Sequence, residues 1–120
     1  MPWLALCSSN DLHDNGCAVP FDVVYQGLTC RAFAIRFAGQ VHAYLNRCSH
    51  VAMELDWQPN HFFDASGQWL TCATHGATYQ PQTGACQAGP CRAGLVKIAV
   101  LERDGVVHWR TEHNLKPLDF

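Results

Sequence analysis

The sequence predicts a small, mostly β fold, and three observations carry that prediction. The chain has 120 residues, which suits a single domain spanning 1–120 with one modest core. Its apolar residues fall in short runs that alternate or are rich in β-formers, and Gly, Asp, Asn and Ser punctuate those runs. No stretch keeps a helical period long enough for a stable helix; only Asp11 to Gly16 and Val51 to Trp57 have room for a helical turn. The expected architecture is a small β-sandwich or barrel.

Cys30 to Phe37 alternates, with Ala32, Ala34 and Arg36 against Phe33, Ile35 and Phe37. Gly39-Gln40 then turns the chain into Val41 to Leu45, which makes a hairpin. In a second hairpin, His61 to Asp64 and Gln68 to Thr71 flank Ala65-Ser66-Gly67. A third joins Leu95 to Glu102 and Val106 to Trp109 through the Asp104-Gly105 turn signal. Repeats, low-complexity tracts and linkers are absent.

Composition narrows the function classes. Hydrophobic residues make up 48% and charged residues 15%, the balance of a globular chain that is neither disordered nor membrane-spanning. A formal net charge of −2 leaves no basic footprint for nucleic acid and no polybasic membrane anchor. The start, MPWLALCSSNDL, lacks a basic n-region, and its apolar run is too short for an export signal or a spanning helix. A cytoplasmic location is the resulting expectation. In a reducing compartment seven cysteines argue for metal or cluster ligation ahead of a disulfide framework.

Two fragments supply such ligands: Cys48-Ser49-His50 and Cys72-Ala73-Thr74-His75-Gly76. Each pairs a thiolate donor with an imidazole donor in a tight loop just after a predicted strand. Ordinary buried cysteines beside surface histidines would produce one such fragment by chance, but less readily two. Structural zinc also takes two Cys and two His, although it usually pairs like with like, as in Cys-x₂-Cys. A cluster whose two irons sit in different ligand fields uses this interleaved set.

From about Cys30 to Trp109 the chain resembles the Rieske family. The resemblance is strongest in CSH, then CATHGATY, then PQTGACQAGPC, where Gly89-Pro90 fits the family's lid turn. It implies a β fold with a cluster-binding subdomain formed by two loops, holding one [2Fe–2S] cluster per chain. Cys48 and Cys72 would ligate one iron, and His50 and His75 the other. The gap between the two loops is longer than in many small ferredoxins of the family; the Phe62 to Leu70 hairpin and the preceding Trp57 to Asn60 account for it. Where the respiratory-chain branch has an inter-loop disulfide, this sequence has Met53 and Thr74. Where that branch has a serine donor to a sulfide, it has Ala77. Tyr79 aligns with a tyrosine whose hydroxyl reaches a ligand sulfur, or is a core aromatic. Loss of the serine donor lowers the expected potential into the lower half of the roughly −150 to +300 mV Rieske window.

The function implied is that of a one-electron ferredoxin. It would take electrons from a flavin-containing reductase and pass them to a terminal oxygenase or reductase by transient contacts. A tightly held subunit of a nitrite-reductase-type complex and a zinc-stabilised interaction module are the alternatives. Cys86 and Cys91, around the Gly89-Pro90 turn, are expected as free, partly buried thiols ahead of a disulfide or a second metal site. Cys7, Cys17 and Cys30 are expected as small core hydrophobes. His13, His42, His61, His108 and His113 have no partner at ligand spacing. Asp11, Glu54, Asp56 and Asp64 are expected on a solvated surface ahead of an acidic face that docks a reductase.

Overall fold

A computed structural model describes residues 3–14, 16–46, 61–64, 66–71, 77–89, 94–112 and 114–117. Among the described residues the strands form three β-sheets. The central one has five strands in the order β11-β2-β3-β4-β8, formed by Leu115–Pro117, Val19–Tyr25, Leu28–Phe37, Gln40–Leu45 and Lys97–Ile98. A second sheet runs β1-β10-β9, from Trp3–Ser8, Val106–Arg110 and Val100–Arg103. The third is small, β5-β6-β7, from Leu70–Thr71, Thr78–Tyr79 and Cys86–Ala88. All named strand pairs are antiparallel.

Period-two geometry explains how one sheet serves two cores, because successive side chains leave a strand on opposite faces. On β3, Phe33 and Ile35 enter a core with Tyr44, Phe62, Leu70, Ala77, Tyr79 and Leu95. Ala32 and Ala34 enter the other core, with Leu45, Ile98, Val107 and Trp109. The alternation expected for Cys30 to Phe37 is therefore present, but both faces of the strand are buried over Ala32 to Ile35. Small alanines face one sheet and bulky aromatics face the other. The five-stranded sheet is thus the middle layer.

The hairpins follow the expectation with two differences. β3 and β4 pair from Ala32↔Leu45 to Phe37↔Gln40, and β9 and β10 pair across Asp104-Gly105. Both residues of that turn have positive φ, 54° and 77°, as a tight primed turn requires. The first difference is that Leu95 to Glu102 is not one strand: β8 joins the central sheet beside β4, and β9 joins the second sheet after Ala99. The second is that His61 to Asp64 and Gln68 to Thr71 pair by an isolated Phe63↔Leu70 bridge. The bonds Asp64 N to Trp69 O and Thr71 N to Phe62 O, both 2.9 Å, support that bridge. The Asp64 carboxylate accepts from the backbone N–H groups of Ser66 and Gly67, which closes the turn.

Near the start, a short 3-10 turn covers Ser9–Asp11, with a reciprocal Ser8–Asp11 capping box. The helical turn expected over Asp11 to Gly16 therefore ends where it was expected to begin; the one expected over Val51 to Trp57 lies outside the described residues. Strands β1, β2, β6 and β7 and the edge strand β11 were not expected. Among the described residues no helix is long and apolar enough to cross a membrane.

Candidate metal centre

The four expected ligands, Cys48, His50, Cys72 and His75, lie outside the described residues, as do Met53, Glu54, Asp56, Thr74, Pro90, Cys91 and His113. What the structure shows is the framework that flanks the two expected ligand segments in sequence. Residues 47–60 follow β4 and Asn46, whose backbone N–H donates 2.9 Å to Arg31 O. Residues 72–76 connect β5 to β6, which pair as Leu70↔Tyr79 and Thr71↔Thr78. Tyr44, Leu70, Ala77 and Tyr79 are each fully buried in one core, so both segments spring from the same packed base. Among the described residues no three His, Cys, Asp or Glu side chains converge on a metal site.

The third part of the framework is β7. It pairs with β6 as Thr78↔Ala88 and Tyr79↔Cys86, with a register shift between them. Antiparallel pairing therefore carries the chain past Ala88 to Gly89, at the end of β6 where Thr78 pairs with Ala88. Gly89 takes φ 91°, a left-handed conformation that glycine adopts without steric cost.

The loop 80–85, which feeds β7, is strapped to the central sheet. The Tyr44 hydroxyl donates to Pro81 O at 2.6 Å. Lys97 Nζ donates to Gln82 O at 2.6 Å and to the Tyr44 hydroxyl at 3.2 Å. It also stands 3.2 Å from His42 Nδ1 and 4.9 Å from the centre of the Tyr44 ring. Burial pushes the Tyr44 hydroxyl well above its ordinary pKa and the Lys97 ammonium below its own. Burial, with the Lys97 charge beside it, lowers His42 to about 4. The His42 ring is thus neutral at neutral pH and accepts from Lys97, while its buried Nε2 has no hydrogen-bond partner.

The remaining candidates divide. Tyr79 is fully buried among core residues and Ala77 lies beside it. Cys7 and Cys30 are free and partly buried, packing at the rim of the second core, so the hydrophobe reading holds for them. It fails for Cys17, which is exposed, because Ala18 takes the buried place just before β2. Cys86 is also corrected: it is disulfide-bonded rather than free. It opens β7 with its side chain packed on the first core, and its partner lies outside the described residues. His61 does have a partner: its ring lies against Cys17, 44 residues away in sequence. Fold proximity, not local spacing, makes that contact, and the sequence carried no signal for it.

The donor chemistry fits a mixed thiolate–imidazole centre. Of the seven cysteines, Cys7, Cys17 and Cys30 are free, and Cys86 with its partner is committed to a disulfide. Two remain, the number of thiolates a Rieske centre uses. Leu70, Ala77 and Tyr79, on the strands that flank residues 72–76 in sequence, are fully buried.

A family model described as Rieske [2Fe-2S] domain matches residues 2–113. Among solved structures, the ferredoxin of carbazole 1,9a-dioxygenase from Nocardioides aromaticivorans IC177 is similar in fold. Its TM-score is 0.71 at 24% identity, over 91% of this chain and 97% of that one. The Sphingomonas yanoikuyae B1 ferredoxin gives a TM-score of 0.70 at 26% identity, over 92% of this chain and all (100%) of the other. A chain from a complex of reduced oxygenase and oxidized ferredoxin in carbazole 1,9a-dioxygenase gives 0.70 at 23% identity, over 98% of this chain and 97% of that one. No curated protein matches the sequence.

Proposed function

Because the chain belongs to the Rieske [2Fe–2S] domain family, we propose that it is a one-electron carrier between a flavin-containing reductase and a terminal oxygenase. Cys48 and Cys72 are the thiolate ligands in this reading, and His50 and His75 the imidazole ligands. Cys91 is the partner of Cys86, which leaves the two thiolates free for iron. The cluster, when bound, takes up and gives back one electron. The chain's own residues anchor the strands next to both ligand segments in sequence: β5 and β6 pair on either side of the second, and Tyr44 and Leu70 are buried in one core.

The observation that carries the reading is the fold of whole ferredoxins reproduced over nine-tenths of this chain, 91% and 92% in two of them. Support for an oxygenase partner comes from the ferredoxin–oxygenase complex with the same fold. Contacts that serve electron transfer are small and transient.

The test is spectroscopic and then kinetic. Anaerobically purified protein should be brown and should develop a rhombic EPR signal on dithionite reduction. Both features should vanish in His50→Ala and His75→Ala. The reduced protein should then be reoxidised by a terminal oxygenase in single turnover. Iron-free protein, or native absorbance in both variants, overturns the ligand assignment. A complex with a reductase that survives purification replaces the mobile carrier with a fixed subunit.

A further inference from the structure

Cys17 and His61 form a pair that electron transfer leaves unused. The Cys17 sulfur lies 3.6 Å from His61 Nε2 and 4.0 Å from Nδ1, within reach of a thiol–imidazole hydrogen bond. Their immediate neighbours hold them there. Ala18 is buried in the first core, and Phe62 stacks on Phe33 of β3 with ring centres 3.7 Å apart. Both residues border an open cleft of about 210 Å³ that Phe62, Phe63 and Asp64 also line.

We propose that Cys17 and His61 constitute a thiol-modification site for small uncharged disulfides, with Cys17 as nucleophile and His61 as its base. A thiol is activated for attack when an adjacent base takes its proton. The Cys17 sulfur attacks one sulfur of the disulfide, whose S–S bond breaks as a new S–S bond to Cys17 forms. Cys17 is oxidised and the departing sulfur is reduced. The Cys17 proton passes to His61 Nε2 and from there to the departing thiolate, which leaves as a thiol. No other oxidant is needed.

The cleft selects the reagent. Its buried phenylalanines favour an apolar body, and the Asp64 carboxylate disfavours an anionic one. The other described thiols are poorer nucleophiles. Cys7 and Cys30 are partly buried, burial and the Asp11 charge push the Cys7 thiol up, and Cys86 is already bonded.

The test treats the full chain, as purified, with limiting hydroxyethyl disulfide at neutral pH and follows each cysteine by peptide mass spectrometry. Cys17 should be labelled first, about tenfold faster than Cys30. His61→Gln should slow Cys17 at least tenfold, within the usual 10²–10⁴ span of base assistance or just below it, and leave the Cys30 rate unchanged. His61→Asn provides a second variant, and retention of the wild-type circular dichroism spectrum certifies folding of either. Should neither variant fold, the Cys17-to-Cys30 ratio in the unaltered chain decides. Labelling of Cys17 at the Cys30 rate, or an undiminished rate in a folded His61 variant, overturns the proposal.

Discussion

The Tyr44 hydroxyl donates a 2.6 Å hydrogen bond to the carbonyl oxygen of Pro81, tying the inner face of β4 to the loop that feeds β7. Both residues are fully buried, so neither group can exchange this bond for one to bulk water. Tyr44→Phe keeps the ring and removes the donor, leaving the Pro81 carbonyl short of its partner. An expected loss of about 1–3 kcal/mol follows, measurable by denaturant unfolding. Hydrogen exchange should also quicken at Gly84 N–H, which bonds Gln80 O within the same loop.

Gly84 offers a second way to disturb that loop. A Cβ placed there would lie 2.7 Å from Tyr44 Cε1, at a backbone φ of +76°. Gly84→Ala meets strain from both sources, overpacking and a left-handed backbone, at about 2–4 kcal/mol together. Thermal unfolding should show it. Gly39→Ala makes the control: it shares a positive φ of +81° but has nothing within 4 Å of its Cβ, and should cost clearly less.

His42 makes stability depend on acid. Its pKa falls from 6.5 to about 4 in the folded protein, so between those values the unfolded chain binds the extra proton. Stability from this residue is complete above pH 6.5 and is lost as pH falls toward 4. His42→Met, apolar and untitratable, should flatten that part of the stability–pH curve. Denaturant midpoints collected across the window give the slope directly.

How much of this was legible from residue order alone differs by element. The Cys30 to Leu45 hairpin and the Asp104-Gly105 turn were readable because their signals are local, a two-residue period and a turn dipeptide. The split of Leu95 to Glu102 between two sheets was not, since no local signal marks a strand that changes partners at Ala99. Strand β2 was missed because Val19 to Tyr25 contains Pro20 and Asp22, which weaken a β signal; its pairing with β3 overrides them. The donor types and spacing of the proposed ligands are read from the sequence alone, since Cys48, His50, Cys72 and His75 lie outside the described residues. The straps from Tyr44 and Lys97, and the contact between Cys17 and His61, arise only when distant segments fold together.

Arg36 should be the most sensitive surface position. Its guanidinium donates to Leu12 O at 2.9 Å, Ser9 O at 3.1 Å and Gly39 O at 3.0 Å. It also pairs with Glu102 in a two-pronged contact at 2.7 and 3.2 Å. That contact holds the Glu102 carboxyl below the usual range. Arg36→Lys supplies charge but not the planar fork, so it should recover little of the roughly 2–3 kcal/mol that Arg36→Met loses. Parallel urea titrations of the two variants would show the gap.

The placement of the five-stranded sheet between two separate cores has an evolutionary corollary. Tyr44 and Tyr79, on strands next in sequence to the proposed ligand segments, share one core with Phe33, whereas Trp109 and Val107 lie on the alanine side. Substitutions behind the alanines can then alter durability alone, while the core beside the proposed ligand segments stays as it is. Such a division lets one scaffold be retuned for new clients without rebuilding its foundation.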